Sequence, residues 1–538
     1  MMMDMLQKFR ERKWEWIALF VIIIIGIFLR TYNFHTWLHF GSDQARDAVL
    51  VEDVVYHSAP WPLLGADASN THFKLGPVYH YFQIISAEIF GSDVAVLAYP
   101  DAFFSILAII LFYFLLRRYF EKNLSLALIG LYAISFYVIE YARFAWNPNP
   151  IPFFVMLYLY AMLEFLEHRE KTHSVWIVLL GISLGVGIQL HTLLLLLLPT
   201  ISFFVFLFLI KKNWRTFGKI AVVIVIAFLC NFGQIQSEWE TGGANTERFF
   251  IASTDRSQSG MNRLWQNVQA DILAHAEANT HILSSLGDRG NFAFLKILKH
   301  PEKIKDSLAY NLYRTGIVVS VLFSLFGYGL LGVCVWQESD PKRKHFLVLI
   351  FLYVTCSFFI LLSIARDAPL RYFIHTTFVP FILLGLWIDW LKGKLTHKFF
   401  LPVVVFLFML LFITNAHTLI SEARELGTGM KGDSGFVVLG EAERMVEYIV
   451  EQSFPERKAT LLGGTQYVST YYKSLKYLAD QRGFQLNRLE RKMVPIAEQP
   501  YFFITHSQKG SEVFEVDYFT SVGHQDFGRV GLYQLKKQ

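Results

Sequence analysis

The chain is short of charge and nearly devoid of cysteine. Asp, Glu, Lys and Arg supply 17% of its 538 residues, against roughly 25% in a water-soluble domain, which excludes an ordinary soluble globular fold. Its three cysteines, Cys230, Cys334 and Cys356, all fall inside apolar runs. They are too few for a disulfide framework and are read as packing residues. No GxSxG elbow, phosphate-binding glycine loop or metal-ligand spacing occurs, and the histidines are scattered. These absences leave no sequence argument for a serine hydrolase, a P-loop nucleotide enzyme or a zinc enzyme. There is no internal repeat and no low-complexity tract.

What the chain does have is long hydrophobic runs. Residues AVILMFWYC make up 54% of it, and 51 residues are phenylalanine. About eleven runs approach the ~20 residues that a helix needs to cross hydrocarbon: 15–31, 98–116, 124–141, 149–166, 174–190, 192–210, 218–233, 315–335, 346–364, 372–390 and 399–415. The fifth and sixth are short and suggest a hairpin that does not cross fully. The fold class expected is therefore an α-helical polytopic membrane protein.

Basic residues set an expected orientation. With a cytoplasmic N-terminus, the inner loops carry Lys8, Arg10, Arg12 and Lys13, then Arg117 and Arg118, then Lys211 and Lys212, then Lys342, Arg343 and Lys344, and finally Lys392 and Lys394. The opposite short loops hold only Arg143, Arg366 and Arg371. This asymmetry follows the positive-inside rule and places residues 32–97, 234–314 and the tail outside the cytoplasm of a cell membrane. The first run lacks a small-residue cleavage pattern and reads as a retained anchor. The formal charge of +5 is accounted for by the inner loops and calls for no nucleic-acid partner.

Residues 1–418 read as a membrane domain and 419–538 as a small extracytoplasmic α/β domain. In the latter, apolar runs 436–439, 459–462 and 501–504 suggest strands separated by helices at 441–452 and 466–481. Gly463-Gly464 reads as a turn. The first outer loop reads as two amphipathic helices resting in the headgroup layer. One is capped by Ser42 or Asp43, with Leu50, Val51, Val54 and Val55 on one face. The other begins at Gly76-Pro77, where backbone N–H groups favour an anion. The polar loop 234–314 reads as an acceptor-binding lid.

Candidate chemistry sits in the loops. Asp43 and Asp47 share a helix face, and Arg46 can pair with either. An acid just past the first span, in a loop that returns with Lys74, suits general-base work beside a bound phosphate. Arg143 lies in a short outer turn with Trp146 and Asn147. The ring can stack on a sugar and the amide can bond its hydroxyls, or the segment can simply form a turn. His191 stands at the hairpin apex, and Arg366, Asp367 and Arg371 cluster before the tenth span. An arginine there can clasp phosphate bidentately, while one pairs with Asp367.

At Gly41-Ser42-Asp43, Lys74-Leu75-Gly76-Pro77-Val78-Tyr79 and Arg371-Tyr372 the chain resembles the polyprenyl-phosphate-sugar glycosyltransferases of GT-C fold. That superfamily includes the protein O-mannosyltransferases and the lipid A aminoarabinose transferases. The resemblance implies Asp43 as catalytic base and Lys74 as a ligand of the carrier phosphate. From the residues themselves, Arg371 and Arg143 are expected as further phosphate ligands, and Asp47, Arg46, Tyr79, Trp146, Asn147, His191 and Arg366 as possible substrate-binding residues. Asn147 stands where many members have a second acid, and Asp47 is not adjacent to Asp43. These departures point away from protein O-mannosylation.

The function expected is inverting transfer of a sugar from a polyprenyl-phosphate donor to a hydroxyl of a glycan, lipid or protein acceptor. No cofactor is called for, and nothing indicates the divalent metal that some relatives use. The alternatives are a transporter or flippase of lipid-linked sugars, and a glycan ligase or polymerase using a diphosphate-linked donor. Functional charges in loops and unlike halves favour the enzyme.

Overall fold

The computed structural model describes residues 2–68, 71–210, 214–261, 264–286, 294, 307–366, 368–429, 436–489, 499–507, 515–516 and 519–537. Helices dominate, because the apolar runs have no other way to satisfy their backbone groups in lipid. In chain order the first part contains α1 Met2–Thr31, α2 Ser42–Tyr56, α3 Val78–Phe90, α4 Tyr99–Leu116, α5 Lys122–Ile134, α6 Phe136–Glu140, α7 Ile151–His168, α8 Ser174–Leu190 and α9 Thr192–Leu209. Next come α10 Trp214–Cys230, α11 Phe232–Thr241, α12 Ala244–Met261, α13 Leu264–Ser284, α14 Ser307–Gln337, α15 Pro341–Leu361, α16 Val379–Lys394 and α17 His397–Thr428. A 3₁₀ turn, Leu370–Thr376, leads into α16.

Among the described residues seven helices are long and apolar enough to cross a membrane: Lys13–Thr31, Val94–Leu116, Ile151–Lys171, Thr192–Leu209, Arg314–Gln337, Pro341–Leu361 and His397–Thr428. Two further candidates are bent pairs, α10 with α11 at 64° and the 3₁₀ turn with α16 at 61°. The remaining apolar runs form the shorter α5 and α8. The protein is a multi-pass membrane protein. The sixth run, expected to be short, has full spanning length, whereas the fifth does not.

The third run breaks at Ser135, whose ψ of 119° ends α5. Asn415 of α17 repairs the break. Its Oδ1 accepts from Phe136 N at 3.1 Å and from Ser285 Oγ at 2.5 Å, and its Nδ2 donates to Leu283 O at 2.7 Å and to Leu411 O at 2.8 Å. Irregular backbone at this depth is tolerated only where protein groups take its bonds. Asn415→Leu should therefore leave a buried N–H and carbonyl unpaired. It should lower stability by about 2–4 kcal/mol, read as a drop in the thermal midpoint of the detergent-solubilised protein.

The C-terminal domain has α18 Leu439–Gln452, β1 Lys458–Gly463, α19 Thr465–Asp480, β2 Gln485–Arg488, β3 Tyr501–His506, β4 Glu515–Val516, β5 Phe519–Phe527 and β6 Val530–Lys537. The sheet order is β2-β1-β3-β6-β5-β4. β1 runs parallel to β2 and β3, and the other pairs are antiparallel. The run 436–439 is not a strand. It makes a single bridge, His39 to Val438, and Leu439 already begins α18.

Three apolar clusters hold the described residues together, the smallest being Tyr501, Phe519, Tyr533 and Leu535 of the sheet. One fills the helix bundle. Another joins Leu38, Phe40, Ala45, Ala48 and Val51 to Val437, Met445, Leu475 and Leu478, with Leu50, Val54 and Val55 packed against it. The apolar face of α2 is thus covered by α19 of the C-terminal domain and by α3, not by the headgroup layer as its amphipathic pattern suggested. Phe40 N donates to Val437 O and Leu439 N to Leu38 O, both at 2.8 Å, and Gln481 Nε2 reaches Glu52 at 2.7 Å. The domain clamps the segment that leads into Asp43.

Candidate active site

Lys74 is presented by a tight hairpin. Gly65 N donates to Leu75 O at 2.8 Å, Leu75 N to Ala66 O at 3.0 Å and Ala68 N to Phe73 O at 2.8 Å. The two arms meet so closely that a Cβ on residue 65 would lie 2.2 Å from Gly76 O, which only glycine avoids. Asn245 of α12 then grips the Lys74 backbone from both sides, accepting from its N at 2.7 Å and donating to its O at 3.0 Å. The backbone is fixed, yet among the described residues the Lys74 ammonium has no hydrogen-bond or ion-pair partner. A cation held in place and left unpaired is suited to a ligand's anion.

The start of α3 differs from expectation. Gln189, at the end of α8, takes the Val78 N–H at 3.3 Å and donates to Gly185 O and Cys230 O, both at 2.9 Å. That first N–H is therefore engaged by a side chain instead of being open to an anion. Gly76 lies against the same glutamine, where a Cβ would come within 2.3 Å. Gln189→Leu should free α3 and the Lys74 hairpin together. It should cost about 1–3 kcal/mol in thermal stability and raise the donor KM.

On the other side, Gly41 caps α2, so Asp43 stands in the first turn and is not the cap. Gln44 accepts from Gly41 N at 3.0 Å and donates to Ala145 O at 2.7 Å, tying α2 to the turn 142–149. The two acids have different surroundings. The Asp43 side chain is 65% exposed and, among the described residues, pairs with Arg46 alone, at 3.3 Å. Asp47 is 7% exposed and takes Arg46 Nε at 2.9 Å and Nη2 at 2.7 Å, with His80 Nε2 3.5 Å away. Burial works to lower the Arg46 pKa, but Asp47, then Asp43 and Asp67, outweigh it and hold the guanidinium charged. Asp47 is thus a buried counter-ion, and Asp43 is the carboxylate that a substrate can reach.

The other expected residues divide into two groups. Arg371 is exposed, stacks over the Trp146 ring at 5.9 Å and faces Tyr141. Trp146 itself stacks on Tyr141 and Phe144 at 5.8 and 6.0 Å. His191 caps α9 by accepting from Leu193 N at 3.1 Å and meets the Tyr372 ring at 5.1 Å. By contrast, Arg143 spends its guanidinium on the end of α1, donating to Leu29 O at 3.1 Å and Tyr32 O at 2.7 Å. It stabilises the negative end of that helix, which corrects its assignment to the phosphate. Asn147 likewise donates to Leu190 O at 2.7 Å and braces the hairpin. Tyr79 is buried, with its hydroxyl on Asp101 at 2.9 Å, and burial followed by the Asp101 charge drives its pKa well up. Its hydroxyl, expected to serve in substrate binding, is engaged inside the fold by Asp101. Arg366 reaches Gln266 at 3.5 Å. Its expected neighbour Asp367 lies outside the described residues.

Asp101, His80 and Gln189 were not singled out from the sequence. Asp101 carried a usable signal, since an acid within an apolar span is costly unless it has a task. Polar residues at the ends of apolar runs, such as Gln189, look like ordinary interface residues.

Between the hairpin and the bundle lies a cavity of about 170 Å³, walled by Phe73, Leu193, Leu196, Phe249, Ile364 and Tyr372. Its walls are mostly apolar, and Lys74 follows directly on Phe73. The segment 234–314 contributes α12 to this wall through Asn245 and Phe249. Its α13, in contrast, is buried against α14 and α16. The expected lid is therefore, in part, a structural helix of the bundle. Among the described residues no group of three His, Cys, Asp or Glu is placed to hold a metal.

Residues 74–232 match the family model described as dolichyl-phosphate-mannose-protein mannosyltransferase. No curated protein matches the chain. Among solved structures, ArnT from Cupriavidus metallidurans in the apo state is similar at 13% identity, with 98% of each chain covered and a TM-score of 0.50. The same protein bound to undecaprenyl phosphate gives 13%, coverage of 97% and 98%, and 0.50. The Archaeoglobus fulgidus oligosaccharyltransferase aligns at 14% identity over 87% of this chain, with a TM-score of 0.45, and the chain spans 62% of that protein's length. The helical bundle with its C-terminal sheet domain, and the likeness to ArnT, give the chain the GT-C fold.

Proposed function

We propose that the protein transfers a sugar from a polyprenyl-phosphate donor to an acceptor hydroxyl on the side of the membrane where α1 ends, outside the cytoplasm. The observation that carries this reading is the pairing of Lys74, whose backbone is held and whose ammonium has no partner among the described residues, with a mostly apolar cavity that begins at the preceding residue. An isoprenoid chain needs the second and its phosphate needs the first. The undecaprenyl phosphate bound by ArnT, whose fold this chain shares, supports the same donor class.

Asp43 takes the proton of the acceptor hydroxyl as the oxygen attacks the anomeric carbon. The carbon–oxygen bond to the phosphate breaks, and the electron pair leaves with the lipid phosphate. Lys74 and Arg371 neutralise the charge that grows there. The proton on Asp43 passes to water, to which that side chain is open. A single displacement inverts the anomeric centre. Trp146, faced by Arg371, offers a ring on which the sugar can stack.

The test is incubation of purified protein with a panel of labelled polyprenyl-phosphate monosaccharides. Consumption of at least one, with inversion, is expected. Consumption of a diphosphate-linked oligosaccharide alone would replace this reading with a ligase, and movement of donor across a vesicle without cleavage would replace it with a flippase.

A further inference from the structure

The 3₁₀ turn Leu370–Thr376 connects the cavity beside Lys74 to the interior of the bundle. Tyr372 lines that cavity, and Arg371, the residue before it, is exposed and lies over the Trp146 ring at 5.9 Å. Two wall residues of the cavity therefore have a cation as chain neighbour, Phe73 with Lys74 and Tyr372 with Arg371. Asn245 holds the backbone of the first cation. The second is held by a different device.

The turn meets α16 at 61°, and carbonyls at such a break lose their helical partners. Side chains take them instead. Tyr137 of α6 donates to Leu370 O at 3.1 Å, and Tyr353 of α15 donates to His375 O at 2.9 Å. Tyr372 O, between them, is taken by the turn's own His375, whose Nδ1 is 2.7 Å away. A carbonyl can only accept, so Nδ1 carries the proton. Nε2 then accepts from the Ser357 hydroxyl of α15 at 2.7 Å. The His375 ring is 1% exposed, and both nitrogens are engaged. Its orientation is set from α15 and passed to the carbonyl of the residue that follows Arg371.

We propose that His375 is a positioning residue for Arg371 and aims its guanidinium at the lipid phosphate. The inference rests on the proposed sugar transfer, in which Arg371 meets the departing phosphate. His375 touches no substrate and acts through Tyr372 O alone. Without that bond the Arg371 backbone is free to turn, and an arginine clasp depends on direction. The loss therefore falls on phosphate recognition and spares the apolar cavity.

The test is equilibrium binding of undecaprenyl phosphate and of undecaprenol to the full chain in phospholipid nanodiscs. The two probes share a tail and differ in the head. His375→Gln, whose amide stands at the place of Nε2, should weaken undecaprenyl phosphate by about 3- to 10-fold, the worth of one hydrogen bond. Undecaprenol should bind as to the parent. His375→Asn puts an N–H at the place of Nδ1 and should recover most of the phosphate affinity. In an Arg371→Ala background, itself weaker for the phosphate, the exchange to glutamine should have no further effect. Equal weakening of both probes overturns the proposal, as does a loss that persists without Arg371. Asparagine no better than glutamine, or parental binding in His375→Gln or in Arg371→Ala, overturns it as well. If the His375 variants do not fold, Ser357→Ala and Tyr353→Phe take their place. Each should show the same loss confined to the phosphate, and an equal loss on both probes, or none, is the overturning result. Binding is read without turnover, so the two readings fail separately. Selective loss with no sugar consumed keeps His375 as the residue that positions a phosphate ligand, whereas consumption with unselective loss keeps the transfer and removes His375 from it.

Discussion

Exchange of Asp43 for asparagine is expected to slow sugar transfer by about 10²- to 10⁴-fold, the usual worth of a positioned general base. Donor affinity and thermal stability should stay near those of the parent. The amide keeps the size of the side chain and loses only its capacity to take a proton. Because Asp43 is largely exposed and makes one 3.3 Å contact with Arg46, little structure depends on its charge. Asp47 is the internal control. Its carboxylate is buried under Arg46 and near His80, so Asp47→Asn should act first on stability, by leaving a cation short of its partner. A parental rate for Asp43→Asn, together with a well-folded but inactive Asp47→Asn, would move the base to Asp47. The measurement is single-turnover transfer with saturating donor, set beside thermal midpoints for both variants.

What the sequence disclosed and what it hid follow one physical line. Run length and apolar patterning are local quantities, and they sufficed for a multi-span helical bundle and for the α/β character of the tail, though not for every span. Partner choice is not local. The stripe of Leu50, Val51, Val54 and Val55 signals an apolar face but not its cover, and much of that cover comes from residues more than four hundred positions later. Arg143 looked free because its acceptors are backbone carbonyls of α1, which leave no mark in side-chain pattern. The third run reads as one span because Ser135 is an unremarkable residue, and the asparagine that makes its break tolerable lies in α17. The apolar run 436–439 has strand composition, yet it is used to dock residues 36–40 and to begin a helix. In the site itself the residues of chemical type were legible and those of support were not, since Gln44, Gln189 and Asn245 act through main-chain contacts that only the folded chain creates.

Removal of the Lys74 ammonium should weaken donor binding by about 10- to 100-fold, which corresponds to the roughly 1.5–3 kcal/mol of a hydrogen bond to a charged group. It should also lower the rate constant of the chemical step. The two effects are separable. The ground-state donor is a phosphodiester with one negative charge, whereas the departing lipid phosphate gains a second, so a cation at this point assists the transition state more than the substrate. Lys74→Ala should therefore lose in kcat as well as in KM, and Lys74→Arg should recover binding better than rate, because a planar fork cannot place its charge where the compact ammonium did. Folding should be unaffected, since Asn245 holds the backbone of residue 74 and not its side chain. Binding of the intact polyprenyl-phosphate sugar, measured without turnover in an Asp43→Asn background at low and at high salt, isolates the first effect. Unchanged affinity in Lys74→Ala would reduce this lysine to an interfacial anchor and leave Arg371, over the Trp146 ring, as the residue that receives the phosphate.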